Sequence, residues 1–215
     1  MLQKQRKANN DSTDNQVEQR LQLISSKKEI MSNTTENMEE LKRLLTERSV
    51  KRGDFTLASG KQSDIYIDAR LTTMSPDGMV LIGELGLRAI SDKDWLPDSI
   101  GGLTMGADPV AFSISHVSAL KGRPVRAFSV RKEAKAHGTG NRIEGPFYKG
   151  DRVVVVEDVI TTGKSALQAV DAIEAAGGRI LGVLAIVDRQ DGGREAISAR
   201  GYDVISLTTI SDFRS

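Results

Sequence analysis

The chain has 215 residues, 39% apolar and 27% charged, with 30 basic and 29 acidic side chains. A net charge of +1 gives no support for a nucleic-acid or membrane-surface protein, because these usually carry a basic excess. The absence of cysteine excludes disulfides, cysteine zinc sites and thiol nucleophiles. No apolar run reaches the roughly 18 residues that a membrane-spanning helix needs. We therefore expect a cytoplasmic protein without nucleic-acid or membrane partners.

The first 32 residues differ in composition from the rest of the chain. They are rich in Gln, Asn, Ser, Lys and Glu and contain no aromatic residue, and the first aromatic of the chain is Phe55. Such a segment buries too little apolar surface to offset the entropy lost on ordering. We expect residues 1–32 to be a disordered tail and residues 33–215 to form the folded domain.

From residue 33 onward the pattern alternates between helix and strand periodicity. The predicted helices are 38–45, a helix beginning at Ser75-Pro76 whose apolar face is Met79, Ile82, Leu85 and Ala89, 109–120, 166–173 and 195–199. The predicted strands are 55–60, 65–70, 99–103, 124–130, 153–156, 180–187 and 204–207. The succession of strand, helix and strand over 153–187 is typical of a βαβ unit. An α/β fold follows, with a mainly parallel sheet flanked by helices.

The segment from Val153 to Ser165 (VVVVEDVITTGKS) carries the most chemical information. A buried strand ends in two acids, and a turn of small residues then begins a helix. Unpaired N–H groups at such a helix start, together with hydroxyls and a glycine, suit a phosphate. Carboxylates would repel a phosphate, so Glu157 and Asp158 are better placed to accept hydrogen bonds from ribose hydroxyls. The pattern predicts a site for a ribose 5-phosphate.

This segment has two alternative interpretations besides a ribose 5-phosphate site. Gly163-Lys164-Ser165 ends like a nucleotide-hydrolysing P-loop, but that motif needs a glycine where Asp158 stands. A capped turn with solvated acids is the alternative without a ligand.

A charged, glycine-rich stretch follows the strand at 124–130. Arg131, Lys132, Lys135 and His137 precede Gly138-Thr-Gly140. By itself this is typical of a solvated basic loop. Next to a phosphate site, it predicts a mobile lid that neutralises a leaving pyrophosphate and excludes water. The other histidine, His116, lies in a predicted helix and is interpreted as structural.

Residues 157–165 resemble the phosphoribosyl pyrophosphate (PRPP) signature of the type I phosphoribosyltransferases. Other stretches are similar to the orotate branch of that family: residues 55–63 (FTLASGKQS) with 66–68 (YID), residues 131–138 (RKEAKAHG) with 143–145 (IEG), and residues 187–189 (VDR). The resemblance runs from about Met38 to the C-terminus. It implies the type I phosphoribosyltransferase fold, with a small N-terminal hood at about 38–72 and a core at about 73–215. It further implies transfer of the phosphoribosyl group of PRPP to orotate, giving orotidine 5'-monophosphate and pyrophosphate.

The resemblance also implies roles for individual residues. The implied PRPP ligands are Arg131, Lys132, Lys135, His137, Glu157, Asp158, Val159, Ile160, Thr161, Thr162, Gly163, Lys164 and Ser165. Thr161 and Arg189 would bind orotate, and Lys135, His137 and Asp158 would be catalytic. Mg²⁺ would be bound mainly by pyrophosphate and water rather than directly by the protein. The resemblance implies a homodimer whose charged loop is shared between subunits.

The chain departs from the family pattern at two places. Many members carry lysine at the positions of Ala58 and Asp108, so the PRPP contacts there are left open. Three alternatives also stay open: a PRPP-binding regulator, a purine-base phosphoribosyltransferase, and an Arg189 that merely pairs with Asp188 or Asp191 at the surface.

Overall fold

A computed structural model describes residues 33–56, 60, 62–133 and 142–214. The chain divides into two compact units, Met1–Glu39 and Glu40–Ser215. In the first unit, the described residues 33–39 are helical. The predicted tail and the site residues Lys135 and His137 lie outside the described residues, as does Ala58.

The described elements alternate between helices and strands along the chain. The helices are α1 (residues 33–44), α2 (Arg70–Thr73), α3 (Pro76–Asp92), α4 (Ala107–Leu120), α5 (Lys164–Ala175) and α6 (Gly193–Ser198), with a π-helix at Leu45–Ser49 and a 3₁₀ helix at Ile210–Phe213. The strands are β1 (Val50–Thr56), β2 (Gln62–Ile67), β3 (Ser99–Leu103), β4 (Arg126–Val130), β5 (Ile143–Glu144), β6 (Arg152–Ile160), β7 (Arg179–Asp188) and β8 (Val204–Thr209). None of the described helices has the length and apolar character needed to cross a membrane.

Six strands form one sheet in the order β5-β4-β3-β6-β7-β8. Strands β4, β3, β6, β7 and β8 pair in parallel, and β5 pairs antiparallel with β4. The predicted α/β fold with a mainly parallel sheet is therefore confirmed. Strands β1 and β2 form a separate antiparallel pair within the range predicted for the hood.

The centre of the sheet is buried on both faces. Val153, Val154, Val155 and Val156 of β6 have no exposed surface. Val153 and Val155 belong to one apolar cluster with side chains of α5, including Ile173. This is the burial expected for a run of β-branched residues in a parallel sheet. This packing fixes strand β6, which carries both acids and leads into the phosphate loop.

The predicted buried face of α3 was partly wrong. Ile82 and Leu85 are buried, but Met79 is 36% exposed. The helix instead approaches α4 through glycines: a Cβ atom at Gly83 would lie 2.7 Å from the carbonyl oxygen of Ser113. Because apolar periodicity counts large side chains, it does not register a close helix contact made by glycine.

Some predicted element boundaries also change. The strand expected to end at residue 156 continues as β6 through Ile160, so both acids lie within it. The extension is held by parallel pairing, in which Ile160 lies opposite Asp188 of β7. The stretch 131–150, expected to be a loop, contains the short strand β5. The sequence predicts one strand over residues 65–70. In the structure, strand β2 ends at Ile67, and helix α2 begins at Arg70.

Candidate active site

The carboxyl ends of β3, β6 and β7 border one cleft with a volume of about 730 Å³. In parallel sheets, ligands bind beyond this edge because the loops that follow the strands converge there. The cleft is lined by the whole segment from Glu157 to Ala166 and by Lys132 and Arg189. Of the predicted ligands, the structure thus brings together Lys132, Arg189 and the segment from Glu157 to Ser165.

The turn after β6 forms the phosphate cradle, which we define as Thr161 to Ser165. Gly163 has φ +76°, a left-handed conformation that other residues adopt rarely. A Cβ atom at this position would also lie 2.7 Å from the carbonyl oxygen of Gly193. No described side chain caps the start of α5, and the first backbone N–H groups of a helix have no intrahelical partner. This arrangement suits an anion.

Two acids precede the cradle. Glu157 is 6% exposed, and its Oε2 has no hydrogen-bond partner among the described residues. Burial, and then the negative charge of Asp158, raises the pKa of Glu157 well above its ordinary value. Burial also raises the pKa of Asp158, although the N–H of Val159 donates a hydrogen bond to Oδ1 at 2.9 Å. Such carboxyls are poised to accept hydrogen bonds from a ligand that brings hydroxyl groups.

The turn between β3 and α4 completes the wall beside Asp158. Thr104, Met105 and Gly106 line the cleft. A Cβ atom at Gly106 would lie 2.6 Å from Cγ of Asp158, so the carboxylate rests directly on the backbone of this turn. Sequence analysis did not assign a role to Gly106, although its place after a parallel strand was a usable indication.

Arg189 follows β7 and is buried rather than at the surface, with 6% of its side chain exposed. Its guanidinium donates hydrogen bonds to the carbonyl oxygen of Ile65 at 3.3 and 3.4 Å and to Oγ of Ser63 at 3.2 Å. It also contacts Asp191 at 3.4 Å. These contacts are long, and they direct much of the guanidinium toward β2. Asp188, the other predicted partner, instead pairs with Arg194 at 2.8 Å.

The charged loop leaves the sheet at a fixed stem. The carbonyl oxygen of Lys132 accepts hydrogen bonds from Nε2 of Gln168 at 3.1 Å and from Nη2 of Arg142 at 3.2 Å. The Lys132 side chain lines the cleft. Arg131 is not among the residues that line the cleft. It pairs with Glu144 of β5 at 3.5 Å.

Arg70 was not singled out by sequence analysis, yet it lines the cleft with Asp68. Its Nε and Nη2 atoms donate to the two oxygens of Asp68 at 2.8 and 2.9 Å. Arg70 lies two residues after the motif Tyr66-Ile-Asp68, and this position could have identified it from the sequence.

Asp108, at one departure from the family pattern, lies in the first turn of α4. Its Oδ1 is buried without a hydrogen-bond partner among the described residues. Burial raises the pKa of Asp108, and a hydrogen bond with Ser129 opposes this shift. Asp108 does not line the cleft, so it does not directly replace a substrate-binding lysine.

Chemically, the cleft combines an anion cradle, three acids and several cations, and its described residues include no nucleophile paired to a base. Within the described ranges, no three His, Cys, Asp or Glu side chains come together to bind a metal. The arrangement can bind a phosphorylated sugar and hold a leaving group, and it contains the elements for displacement by positioning and electrostatics.

Comparisons with known proteins agree with this geometry. The family model described as the phosphoribosyl transferase domain matches residues 81–213. The chain is 48% identical over 185 residues to the orotate phosphoribosyltransferase of Corynebacterium glutamicum strain R, covering 85% of this chain and 98% of the relative. It is 46% identical over 177 residues to the enzyme of the same name from Aquifex aeolicus, covering 81% and 96%.

Solved structures of orotate phosphoribosyltransferases also match this chain. An orotate phosphoribosyltransferase of Mycobacterium tuberculosis H37Rv, in complex with Fe(III) dicitrate, matches with a TM-score of 0.74 and 45% identity, covering 83% of this chain and 99% of that chain. A structure of the Mycobacterium tuberculosis enzyme in complex with PRPP matches with a TM-score of 0.69 and 40% identity, covering 82% and 91%.

Proposed function

This chain belongs to the orotate phosphoribosyltransferase family, and we propose that the cleft described above is where it transfers the phosphoribosyl group of PRPP to orotate. The products are orotidine 5'-monophosphate and pyrophosphate, and the reaction belongs to pyrimidine biosynthesis. The observation that carries the assignment of the site is that the cradle, the acid pair and Arg189 border one cleft.

The order of groups along the cleft gives each part of PRPP a binding position. We assign the 5-phosphate to the cradle, where Gly163 admits it to the backbone and Thr161, Thr162 and Ser165 add hydroxyl donors. We assign the ribose hydroxyls to Asp158 and Glu157, whose oxygens are acceptors. Val159, Ile160 and Lys164 complete the PRPP wall. The relative solved with PRPP supports this substrate.

We assign the base to the part of the cleft between Thr161 and Arg189. The carboxylate of orotate requires a cation, and Arg189 is a buried one at the cleft edge. Because its guanidinium also holds Ile65 and Ser63, orotate would have to share or displace these long hydrogen bonds.

The reaction displaces pyrophosphate from ribose C1 by a ring nitrogen of orotate. Positive charge develops on the ribose as the bond to pyrophosphate breaks, and we assign the stabilisation of that charge to the acid pair. No proton transfer to a catalytic base is needed if orotate binds with its ring nitrogen ionised. Lys135 and His137, with Lys132, are assigned to the departing pyrophosphate.

Mg²⁺ fits this donor set without a closed protein cage. It prefers oxygen ligands and keeps several waters, and the acids offer the unpartnered Oε2 of Glu157 and the carboxylate of Asp158. When bound, Mg²⁺ would neutralise charge on the leaving pyrophosphate. Glu157 and Asp158 would accept hydrogen bonds from its waters.

We also propose a homodimer. Leu71, Met74 and Met105 are 50%, 46% and 61% exposed, and together they line a pocket next to Arg70. Exposed large apolar groups of this kind mark protein interfaces. In such a dimer, we assign the charged loop of one subunit to the cleft of its partner, as the family resemblance implies.

The reaction is tested by following the loss of orotate absorbance after addition of PRPP and Mg²⁺. Turnover with hypoxanthine or xanthine but not orotate would favour a purine-base enzyme, and PRPP binding without any turnover would favour a regulator. Loop sharing is tested by mixing inactive Lys135→Ala and Asp158→Asn chains. Recovered activity supports a shared loop, whereas no recovery despite proven subunit exchange contradicts it.

A further inference from the structure

We propose that Arg70 is a ligand of the pyrophosphate group of PRPP and that Asp68 positions it for this role. The inference rests on the proposed function and adds a residue outside the phosphate segment and the charged loop. It comes from the geometry of the Arg70 side chain, its place in the cleft and the charge that the substrate brings.

The Asp68 carboxylate fixes one edge of the Arg70 guanidinium. It accepts hydrogen bonds from Nε and Nη2 at 2.8 and 2.9 Å. A guanidinium has five N–H groups, so both hydrogens of Nη1 and one of Nη2 are available for another acceptor. The Arg70 side chain is 47% exposed. An arginine held in this way presents a fork of donors that matches phosphate oxygens.

The position of Arg70 corresponds to the pyrophosphate end of the cleft. Burial raises the pKa of Asp158, and the positive charge of Arg70 acts in the opposite direction, so the two side chains interact electrostatically. Arg70 lines the cleft together with Met105 and Gly106 of the turn that contacts Asp158, and it is not part of the cradle. With the 5-phosphate in the cradle and the ribose at Asp158, the group beyond the ribose lies toward Arg70.

The negative charge of the substrate explains why a cation is needed at the position of Arg70. The described cations that line the cleft are Arg70, Lys132, Lys164 and Arg189. Lys164 belongs to the cradle, and Arg189 is directed toward β2. Pyrophosphate carries several negative charges, and Arg70 with Lys132 would flank it from two walls. A carboxylate such as Asp68 also keeps the empty site close to neutral.

The test compares Arg70→Ala with Arg88→Ala. Arg88 pairs with Asp92 through hydrogen bonds of 2.8 and 3.0 Å and is similarly exposed, on α3 outside the cleft. Binding of inorganic pyrophosphate with Mg²⁺, and of ribose 5-phosphate, is measured by calorimetry on the full chain. We expect Arg70→Ala to weaken pyrophosphate binding about 10-fold or more, the scale of a charge-assisted hydrogen bond. Ribose 5-phosphate binding should not change, and Arg88→Ala should match wild type in both measurements.

Three further measurements keep the inference falsifiable. Arg70→Lys should recover part of the affinity, because it keeps the charge and loses the fork. Asp68→Asn should raise the PRPP KM less than Arg70→Ala does. Unchanged pyrophosphate affinity in Arg70→Ala, or an equal loss of ribose 5-phosphate binding, would overturn the inference. Wild-type turnover of orotate is measured separately, so a failure of the proposed function is recognised by itself.

Discussion

The carboxylate of Asp158 lies against the backbone of Gly106, where a Cβ atom would stand 2.6 Å from Cγ and 2.7 Å from Oδ2. Gly106 has φ −62° and ψ −39°, which alanine adopts readily. Gly106→Ala should therefore disturb the acid rather than the turn. We expect turnover to fall by about 100-fold, because a misplacement of about 1 Å can cost that much. Steady-state kinetics and a melting curve measure the two effects.

The control for this prediction places Gly106→Ala on an Asp158→Asn background. Ribose 5-phosphate binding is the measurement, because the Asp158→Asn chain is inactive. If the methyl group acts through the Asp158 side chain, Gly106→Ala should add little to the loss of affinity caused by Asp158→Asn, because coupled residues are not additive. Normal turnover in Gly106→Ala would contradict the contact between these two residues.

Arg189→Ala should weaken the use of orotate and leave PRPP affinity nearly unchanged. Losing a desolvated charge-assisted contact typically costs ~2–5 kcal/mol, and the lower value corresponds to roughly 30-fold in affinity. The variant should also melt earlier, because Arg189 holds the backbone of β2 through Ile65. Michaelis constants for both substrates are the measurement.

Arg194→Ala is the matched control for Arg189. Arg194 pairs with the buried Asp188 at 2.8 Å and donates to the carbonyl oxygen of Val204, but it does not line the cleft. The Arg194→Ala substitution should lower the melting temperature without raising the orotate KM. If Arg189→Ala raised both Michaelis constants equally, Arg189 would support the fold or the phosphate site instead of the base.

The sequence predicted the structure correctly where a local residue pattern or the parallel direction of neighbouring strands determines it. The β-branched run at Val153 predicted a buried parallel strand, and parallel pairing placed the cradle beside the residue that follows β7. The convergence of the cradle and Arg189 on one cleft follows from that topology.

The parts that could not be predicted depend on contacts distant in sequence. Gly106 acquires its role from Asp158, which lies 52 residues later. Arg189 faces Ile65, 124 residues away. Met79 belongs to the predicted apolar face of α3 but is 36% exposed, whereas the contact of α3 with α4 is made at Gly83. In each case, tertiary packing decided the outcome and no local periodicity reported it.

Gln168 should influence PRPP binding by holding the stem of the charged loop. Its Nε2 donates to the carbonyl oxygen of Lys132 at 3.1 Å from the second turn of α5, the helix that begins at the cradle. Gln168→Met keeps the side-chain length and removes the donor. We expect the PRPP KM to rise about 5-fold, the equivalent of a hydrogen bond worth about 1 kcal/mol. The orotate KM and the melting temperature should change little.

The role of Gln168 is separated from a general effect on α5 by a double-mutant cycle. On a Lys132→Ala background, Gln168→Met should have little further effect on the PRPP KM. Full additivity of the two substitutions would show that Gln168 does not act through Lys132.

Glu157→Gln should stabilise the ligand-free protein at neutral pH. Burial, and then the charge of Asp158, raises the pKa of Glu157 well above its ordinary value of 4.5. The folded state then binds more protons than the unfolded state over the interval from about 4.5 up to the raised pKa, so wild-type stability falls as pH rises through it. Glutamine cannot ionise, and the variant should escape this loss. Its melting temperature should equal that of wild type below about pH 4 and exceed it increasingly above that, while turnover falls because a ribose acceptor has been altered.

Glu195→Gln, which removes an exposed acid, controls for the change in net charge. Parallel melting curves for wild type and Glu157→Gln across this pH range would show that Glu157 ionises as freely in the folded protein as in the unfolded chain.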